Sequence, residues 1–521
     1  MTQAEALTIL KTGANVFLTG EPGAGKTYTI NQYVAWLRQR GIEPAITAST
    51  GIAATHIGGM TIHAWSGIGV KKTLSDWDLE ALLEREPLVK RVRAAQVLII
   101  DEVSMLDANI LTLVDQAIRT IKNSVRAFGG MQVIFVGDFF QLPPVQPRRS
   151  EEVGVPTEAS GFAFESAAWE RANPITCYLS EQHRQSDDEF LGLLAAVRSG
   201  DVEELHYEIL QARAVEPVGQ VTELYPHNAN VDIVNNAELA KLDGVERSYK
   251  MLDQGNKTLV EALKRGCLSP ESLVVKDGAS VMFTRNNFEQ GYVNGTLGTV
   301  IGFTDAGMPV VRTRGGKRIE VDPAEWRVED GKRVLAKISQ IPLRLAWAMT
   351  VHKSQGMSLD AAAMDLSQAF EYGQGYVALS RVKTLDGLYL RGFNNRALEV
   401  HPQILNKDAG FRAASMAAST AFAQIGVEEL KQMQDNFVKM SGGHEPDKNQ
   451  KAKEDGELSK LDKLRQKHPN AYRPWSDVDD VKLQELFERG STPSQLQKEF
   501  GRQRGSIHAR LVKLGLIEAD A

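Results

Sequence analysis

Residues 15–38 of the chain are NVFLTGEPGAGKTYTINQYVAWLR, and this stretch decides the fold class. The apolar run Asn15–Thr19 predicts a buried strand, and the amphipathic run that ends at Gly41 predicts a helix. Between them, Gly20–Thr27 matches G-x-x-x-x-G-K-[ST], a pattern whose glycines let backbone N–H groups face phosphates at a helix N-terminus. Because the strand and the helix flank the motif in the required order, we predict a phosphate-binding loop.

Further along the chain, strands and helices continue to alternate. Short apolar runs at Ala45–Ala48, Val97–Asp101 and Gln132–Asp138 are typical of strands buried on both faces of a parallel sheet. A second α/β pattern follows. From about 279 to 340 its period changes to two and turn residues recur, which predicts a small inserted antiparallel barrel or sandwich. The sequence therefore predicts an α/β protein with parallel sheets that bind ligands at the carboxyl ends of their strands.

The composition restricts the class of protein. With 521 residues, of which 42% are hydrophobic and 24% charged, the chain suits several globular domains and is neither collagen-like nor disordered throughout. No apolar run approaches the roughly 20 residues that span a bilayer, and the N-terminus lacks the layout of a secretion signal. The two cysteines, Cys177 and Cys267, exclude a disulfide framework and a four-cysteine zinc site, which favours a reducing cytoplasm. The net charge of −6 neither indicates nor excludes nucleic-acid binding, which needs only local positive charge.

Polar residues follow two of the predicted strands, at the sheet edge where the phosphate loop lies. Asp101 and Glu102 end one apolar strand, and Gln141 follows the next in GDFFQLPP. Beside a phosphate loop, Asp101 suits the Mg²⁺ hydration shell, with Thr27 as the other ligand, and Glu102 suits polarisation of the attacking water. Gln141 suits contact with the γ-phosphate or the water, and Lys26 suits the β and γ phosphates. The alternatives are a solvated strand end for the acidic pair and a polar turn for Gln141.

Longer motifs narrow the function. They are TASTGIAATHIGGMTIHAWSGIG (47–69), DEVSM (101–105), GDFFQLPP (137–144), LSEQHRQSDDEFL (179–191), TVHKSQGMSL (350–359) and YVALSRVKTLDGLYL (376–390). In this order they resemble the motifs of superfamily-one DNA helicases with 5′→3′ polarity, most closely the PIF (petite integration frequency) branch and next the RecD-like branch. LTLVDQAIRTIKNSVRAFGG (111–130) is similar to a signature of the PIF branch. The resemblance covers about residues 1–400.

The resemblance implies two RecA-like domains with ATP bound between them. Arg184 and Arg381 match the two arginines that stabilise charge on the transferring phosphoryl group, the alternative for each being a surface ion pair. Gln3 matches a glutamine whose amide contacts adenine, the alternative being a frayed terminal residue. The implied catalytic residues are Lys26, Thr27, Asp101, Glu102, Gln141, Arg184 and Arg381, with Mg²⁺ held by Thr27 and Asp101. The implied ATP-binding residues are Gln3, Gly20, Gly23, Ala24, Gly25, Lys26, Thr27 and Gly356.

The resemblance also implies DNA contacts in both domains. In the first domain they are Thr50, His63 and Trp65. In the second domain they are His352, Lys353 and Ser354. Hydroxyls and lysine suit phosphates, and an aromatic ring stacks on a base for about 1–3 kcal/mol. The alternatives are core packing for Trp65 and buried structural roles for the two histidines.

The predicted domain organisation has five parts. They are a first RecA-like domain (1–177) with a small duplex-splitting insertion at about 67–91, a second RecA-like domain (178–399) with an SH3-like insertion at about 279–340, a helical extension (400–440), a charged linker (441–470) and a C-terminal module (471–521). The module has the pattern of three helices and resembles helix-turn-helix or SANT-like modules. Its third helix carries Arg504 and Arg510, which suit a DNA groove, the alternative being a module that docks a protein.

These features together predict an ATP-dependent DNA helicase with ATP and Mg²⁺ as cofactors. We expect it to move 5′→3′ on single-stranded DNA and to unwind forked, duplex or structured DNA in replication, repair, recombination or genome maintenance. We expect no membrane partner and a bacterial-type cytoplasm with nucleoid association. Two alternatives are a RecD-like helicase subunit of a larger DNA-processing complex and a DNA-binding switch ATPase that does not unwind.

Overall fold

The computed structural model describes residues 1–56, 60–69, 71–144, 161–181, 187–217, 221–285, 287, 290–292, 294–313, 315–330, 333–355, 357–445, 477–489, 491–502, 504–514 and 516. The chain divides into two compact units, residues 1–443 and residues 444–521. Within the described residues, no helix combines the length and apolarity needed to cross a membrane.

A six-stranded parallel sheet with strand order β3-β2-β4-β5-β1-β6 forms the first domain. Its strands are β1 (Val16–Gly20), β2 (Ala45–Ala48), β3 (Met60–Thr61), β4 (Val97–Asp101), β5 (Gln132–Val136) and β6 (Ile175–Leu179). Its helices are α1 (Gln3–Leu10), α2 (Lys26–Arg38), α3 (Gly51–His56), α4 (Ile62–Ser66), α5 (Asp76–Leu83), α6 (Glu86–Ala94), α7 (Ala108–Lys122) and α8 (Ala167–Ala172). Consecutive residues of β1, such as Phe17 and Leu18, are buried in two different apolar clusters, so helices cover both faces of the sheet.

The predicted boundary between residues 177 and 178 falls inside β6, and this prediction needs correction. All five residues of β6 pair with β1 in the first sheet, so the first domain extends at least to Leu179. The sequence pattern does not reveal this pairing because a short apolar strand has the same pattern whichever parallel sheet it joins.

The chain then passes through two helices into the second domain. The two helices are α9 (Asp188–Ser199) and α10 (Glu204–Ala212), and they are followed by β7 (Thr222–Tyr225) and α11 (Asn228–Lys241). An antiparallel region follows, made of β8 (Arg247–Lys250), β9 (Leu252–Gly255), α12 (Lys257–Gly266), β10 (Ser272–Val275), β11 (Ser280–Phe283), β12 (Leu297–Phe303), β13 (Pro309–Thr313), β14 (Arg318–Glu320), β15 (Ala324–Asp330), β16 (Arg333–Gln340) and β17 (Leu343–Leu345). Its sheets have strand orders β14-β13-β12-β11-β17, β15-β16-β9 and β10-β8.

The antiparallel region is wider than the predicted insertion at 279–340. Its strands begin at Arg247 and end at Leu345. The two earliest strands, RSYK and LDQG, are largely exposed and carry no alternating apolar signal, which explains why the sequence pattern starts too late.

A four-stranded parallel sheet completes the second domain, with strand order β18-β7-β19-β20. The elements after the antiparallel region are β18 (Ala348–Thr350), α13 (Val351–Ser354), β19 (Ala362–Leu366), α14 (Gln374–Leu379) and β20 (Leu388–Phe393). Two parallel sheets in one chain confirm the predicted α/β fold class. The carboxyl ends of their strands hold the segments that carry the predicted site residues.

Two helices that follow the second sheet return to the first domain. They are α15 (Pro402–Ala423) and α16 (Val427–Met440). The ring of Phe411 packs 5.2 Å from that of Phe17 and 6.1 Å from that of Phe139, measured between centroids. Val438 is buried in the apolar cluster that contains α1 and β1. These helices therefore complete the core of the first domain.

Among its described residues, the second unit has three helices around a small core. They are α17 (Asp477–Glu488), α18 (Pro493–Phe500) and α19 (Arg504–Lys513). Its buried apolar residues are Leu483, Leu496, Phe500, Ile507 and Leu511. Most of the predicted linker at 441–470 lies outside the described residues. The module thus has a core of its own.

Candidate nucleotide and DNA site

The phosphate loop joins β1 to α2. Lys26 is the first residue of α2, and its Nζ donates to the carbonyl of Gly20 at 2.7 Å. Gly25 caps the helix with φ +84, and a Cβ there would lie 2.1 Å from Nε2 of Gln3. The same Nε2 donates to the carbonyl of Ala24 at 3.2 Å. The Gln3 side chain, which is expected to contact adenine, therefore contacts the predicted phosphate loop.

An acidic pair lies at the carboxyl end of β4, beside this loop. Burial raises the pKa of Glu102 to about 7, and the Asp101 carboxylate raises it too, while Lys26 and Arg381 oppose the shift. Burial also raises the pKa of Asp101. Two groups oppose this rise: the Glu102 backbone N–H, which donates to Oδ1 of Asp101 at 2.9 Å, and the Lys26 ammonium. Glu102 has φ +52, a left-handed backbone conformation that is uncommon for residues other than glycine. A carboxylate whose pKa lies near neutrality is suited to act as a general base.

The second domain contributes a glutamine to this acidic pair. Gln355, just after α13, donates through Nε2 to Oε2 of Glu102 at 3.0 Å and to Oε1 of Gln141 at 3.4 Å. Gln141 in turn donates to Oδ2 of Asp138 at 3.3 Å. Side chains from both parallel-sheet domains therefore form one hydrogen-bonded group around Glu102.

Arg381 follows α14 and is almost fully buried, with 1% of its surface exposed. Its Nε donates to the carbonyl of Val377 at 2.7 Å, and its Nη2 donates to Oγ of Ser380 at 2.6 Å. Its charge lowers the pKa of Glu102. The guanidinium is thus a buried charge near the acidic pair, which is not the environment of a surface ion pair.

A cleft of about 2080 Å³ connects these groups with several of the predicted DNA contacts. Its lining includes Thr27, Thr50, Trp65, Asp101, Glu102, Arg285, His352 and Gln355. The first domain, the second domain and the antiparallel region therefore all face one space.

The oxygen donors in this cleft fit Mg²⁺. The Thr27 hydroxyl and the Asp101 carboxylate both line it. Mg²⁺ in phosphate sites uses one or two protein carboxylates or hydroxyls and completes its shell with phosphate and water oxygens. Within the described residues there is no group of three or more His, Cys, Asp or Glu side chains that could hold a metal ion by themselves.

The predicted DNA contacts of the first domain differ in exposure. Thr50 caps α3 by accepting from the Ala53 N–H at 3.2 Å, and it lines the cleft. His63 is partly buried, and burial lowers its pKa against the effect of Asp107. Trp65 is 5% exposed and belongs to the apolar core of the domain, so core packing accounts for most of this ring although it also lines the cleft.

The predicted contacts of the second domain lie on α13. Burial lowers the pKa of His352, and the nearby His227 lowers it further. Burial also lowers the pKa of Lys353. Ser354 is fully buried, and its hydroxyl donates to the Val351 carbonyl at 2.7 Å. The prediction of a DNA contact by Ser354 is therefore not supported, because its hydroxyl is satisfied within its own helix.

Some predicted residues are not in the part of the chain that the structure describes. Arg184 and Gly356 lie outside the described residues, as does the side chain of Arg504 in α19. In the same module, Arg510 donates through Nε to Oδ1 of Asp480 at 2.6 Å. The predicted DNA contact of Arg510 therefore competes with an ion pair inside the module.

The structure adds residues that the sequence analysis did not select. Besides Gln355, the rings of His227 and Phe370 stack with centroids 4.9 Å apart and planes at 10°. Both residues are exposed, Phe370 by 55%, and they follow the carboxyl ends of β7 and β19. The sequence signal that could have indicated these two residues is an aromatic side chain shortly after an apolar strand. An exposed ring pair at this edge is suited to stack on a nucleic-acid base.

Two family models match the chain. The PIF1-like helicase model matches residues 2–208, and the model of the 2B domain of DNA helicase Pif1 matches residues 258–303. The first match spans the six-stranded sheet and the acidic pair. The second lies within the antiparallel region.

Similar proteins cover most of the chain. The ATP-dependent DNA helicase Pif1 of Psychrobacter sp. (strain PRwf-1) is 39% identical over 99% of this chain and 87% of that protein. The human ATP-dependent DNA helicase PIF1 is 36% identical over 79% of this chain and 63% of the human protein. The crystal structure of Candida albicans Pif1 has a TM-score of 0.64 and 32% identity over 78% of this chain and 98% of the other. The crystal structure of Bacteroides sp. Pif1 in complex with ADP-AlF4 has a TM-score of 0.66 and 28% identity, over 79% of this chain and 96% of the other. The chain therefore belongs to the PIF1-like family of ATP-dependent DNA helicases.

Proposed function

We propose that this helicase moves 5′→3′ along single-stranded DNA and uses ATP hydrolysis to unwind forked, duplex or structured DNA. The observation that supports this most is the hydrogen bond from Gln355 to Glu102 across the cleft. It connects the acid of the ATP site to the segment that holds His352 and Lys353, which are expected to contact DNA. Closure and opening of the cleft would therefore change the hold on DNA in step with ATP.

Each side chain of the ATP site has a role that follows from its chemistry. Lys26 neutralises charge on the β and γ phosphates, and Glu102 accepts a proton from the attacking water. Gln141 orients that water or contacts the γ-phosphate. Arg184 and Arg381, from beyond the first sheet, stabilise the charge that develops on the transferring phosphoryl group.

Thr27 and Asp101 are the residues that would hold Mg²⁺ in this site. When bound there, Mg²⁺ neutralises charge on the phosphates. Asp101 then needs to be ionised, and the neighbouring Lys26 favours this form by lowering its pKa against the effect of burial.

The proposed DNA path uses both domains. Thr50 and His63 contact the strand from the first domain, and His352 and Lys353 contact it from the second. The exposed His227–Phe370 ring pair extends the path at the same edge of the second sheet. Because phosphates and base faces are common to all sequences, binding should depend little on sequence. A Bacteroides relative has been crystallised bound to ssDNA, with a TM-score of 0.55 and 28% identity to this chain.

Strand displacement on tailed duplexes tests the proposal. We expect the full chain to unwind a duplex with a 5′ single-stranded tail and to leave blunt and 3′-tailed duplexes intact, with Lys26→Ala inactive on all three. Unwinding from a 3′ tail only would refute the polarity. Hydrolysis stimulated by DNA without any unwinding would favour a switch ATPase, and unwinding only after addition of a partner would favour a RecD-like subunit.

We place the natural substrate among the forks and displaced strands of DNA replication, repair and recombination, because these structures carry single-stranded tails. The corresponding location is the nucleoid of a bacterial-type cytoplasm. Recruitment of the fluorescently tagged full chain to DNA after replication arrest would test this, and an unchanged distribution would count against it.

A further inference from the structure

A buried arginine lies where the two parallel-sheet domains meet. Arg198, near the end of α9, has 4% of its side chain exposed. Its Nη1 donates to Oδ2 of Asp138 and to the hydroxyl of Tyr376, both at 2.9 Å, and its Nη2 donates to the hydroxyl of Tyr178 at 2.9 Å. The guanidinium also lies 4.0 Å from the ring centroid of Phe140. Asp138, Phe140 and Tyr178 belong to the first domain and Tyr376 to the second, so one cation contacts both.

The environment of the Arg198–Asp138 ion pair favours the charged form of both side chains. Burial alone would raise the pKa of Asp138, but Arg198 and Lys26 lower it below its ordinary value. Asp138 also accepts a hydrogen bond from Gln141. The loop after β5 is therefore anchored to Arg198 at one end and reaches the Glu102 group through Gln141 and Gln355 at the other.

Helix α14 rests directly on this loop. Gly373, at its N-terminus, has φ +74, and a Cβ there would lie 2.4 Å from the Phe140 carbonyl oxygen and 2.7 Å from that of Gln141. The close backbone approach and the hydrogen bond from Arg198 to Tyr376 set the position of α14 against the loop. Arg381 follows α14 by two residues and hydrogen-bonds to Val377 within it. A shift of the loop would thus be passed to Arg381 through a rigid helix.

We propose that Arg198 is a positioning residue that couples the γ-phosphate end of β5 to α14, and through α14 to Arg381. In this arrangement Arg198 touches neither nucleotide nor DNA. It acts by keeping Tyr376 in register with Asp138, so that the loop around Gln141 and the arginine of the second domain move together. The inference rests on the proposed role of Arg381 in ATP hydrolysis.

The test uses tyrosine variants, because removal of Arg198 would leave the Asp138 carboxylate buried without its partner. Tyr376→Phe removes the hydrogen bond from Arg198 to α14 and leaves Arg198 paired with Asp138. Tyr178→Phe is the matched control: it removes the hydrogen bonds that Tyr178 accepts from Arg198 and from Arg412, but it leaves the hydrogen bond from Arg198 to Tyr376 in place. We expect Tyr376→Phe to lower kcat of DNA-stimulated ATP hydrolysis by about tenfold, with KM for ATP within about twofold of wild type. We expect Tyr178→Phe to keep kcat within about twofold.

Melting temperatures and a double variant complete the experiment. If coupling runs through Arg381, Tyr376→Phe should lower turnover no further in an Arg381→Lys background. An unchanged kcat in Tyr376→Phe, equal losses in both tyrosine variants, or multiplicative losses with Arg381→Lys would each overturn the inference. The wild-type chain tests the proposed function separately, because it must show DNA-stimulated hydrolysis and 5′-tailed unwinding whatever the variants do.

Discussion

Nε2 of Gln355 lies 3.0 Å from Oε2 of Glu102, so a side chain of the second domain contacts the proposed general base of the first. The same amide lies 3.4 Å from Gln141. A neutral amide N–H can hold the carboxylate in place without protonating it, which keeps it available as a base. The position of Glu102 therefore depends on how the two domains meet.

Replacement of Lys26 tests the phosphate loop. We expect Lys26→Ala to lower DNA-stimulated hydrolysis by about 10²–10³-fold, because an ammonium that faces the phosphates is lost. The melting temperature should change little, since this side chain contributes nothing to the apolar clusters. Phosphate release and thermal unfolding are the measurements, with Lys250→Ala, an exposed lysine of β8, as the control. Turnover near that of the control would contradict the assignment.

Replacement of Glu102 separates nucleotide binding from hydrolysis. Glu102→Gln keeps an oxygen that can accept from Gln355 but removes the base, so turnover should fall by about 10²–10⁴-fold. Affinity for ATP, measured with a fluorescent nucleotide, should stay within a few-fold of wild type. Glu238→Gln on α11 serves as the matched control. Single-turnover hydrolysis at the wild-type rate would show that another group is the base.

The two arginines should not act independently. Arg184→Ala and Arg381→Ala should each lower turnover strongly, and the double variant should lose less than the product of the two losses, because both charges act on one phosphoryl group. Arg381 is buried, so Arg381→Lys and melting temperatures are needed to separate lost chemistry from lost stability. Losses that multiply would mean that at least one arginine lies away from the phosphates.

The His227–Phe370 ring pair gives a test of the DNA path. Phe370→Ala should weaken binding of single-stranded DNA by roughly tenfold, in line with the loss of one stacking interaction. The slope of log affinity against log salt should not change, because no charge is removed. Met416→Ala, which removes another exposed apolar side chain on α15, is the control. Equal affinity of Phe370→Ala and wild type would remove the ring pair from the path.

Two truncations distinguish the C-terminal module from the helices before it. A chain ending at Gly443 should stay folded and hydrolyse ATP at a near-normal rate, because residues 1–443 form a compact unit with apolar clusters of its own. Its affinity for DNA should fall and its salt dependence should flatten if the module contacts phosphates. Equal affinity and slope would favour a protein-docking module.

A chain ending at Glu399 should behave differently. It loses α15 and α16, which exposes the surfaces that Phe411 and Val438 cover in the first domain. Even Phe411→Ala alone should lower the free energy of unfolding by about 3–5 kcal/mol. We expect the shorter chain to aggregate, and a stable, active product would contradict the packing described for these helices.

The range of the interactions decides how much of this site the sequence predicts. The phosphate loop and the acidic end of β4 are local patterns, and the structure has them at the expected positions. The contact of Gln355 with Glu102 joins residues 253 positions apart and depends on how two sheets meet, which no local pattern encodes. The residues alone left Trp65 open between stacking and core packing, and its burial, a tertiary property, favours the core.

The return of α15 and α16 to the first domain has a consequence for synthesis of the protein on the ribosome. The last strand of the first sheet ends at Leu179, but Val438, which closes part of its core, is made some 260 residues later. At usual rates of synthesis the first domain waits about 10–50 s with that apolar surface uncovered. Its folding cannot finish before the second domain has emerged, so nascent chains that stall between the two should be substrates for chaperones.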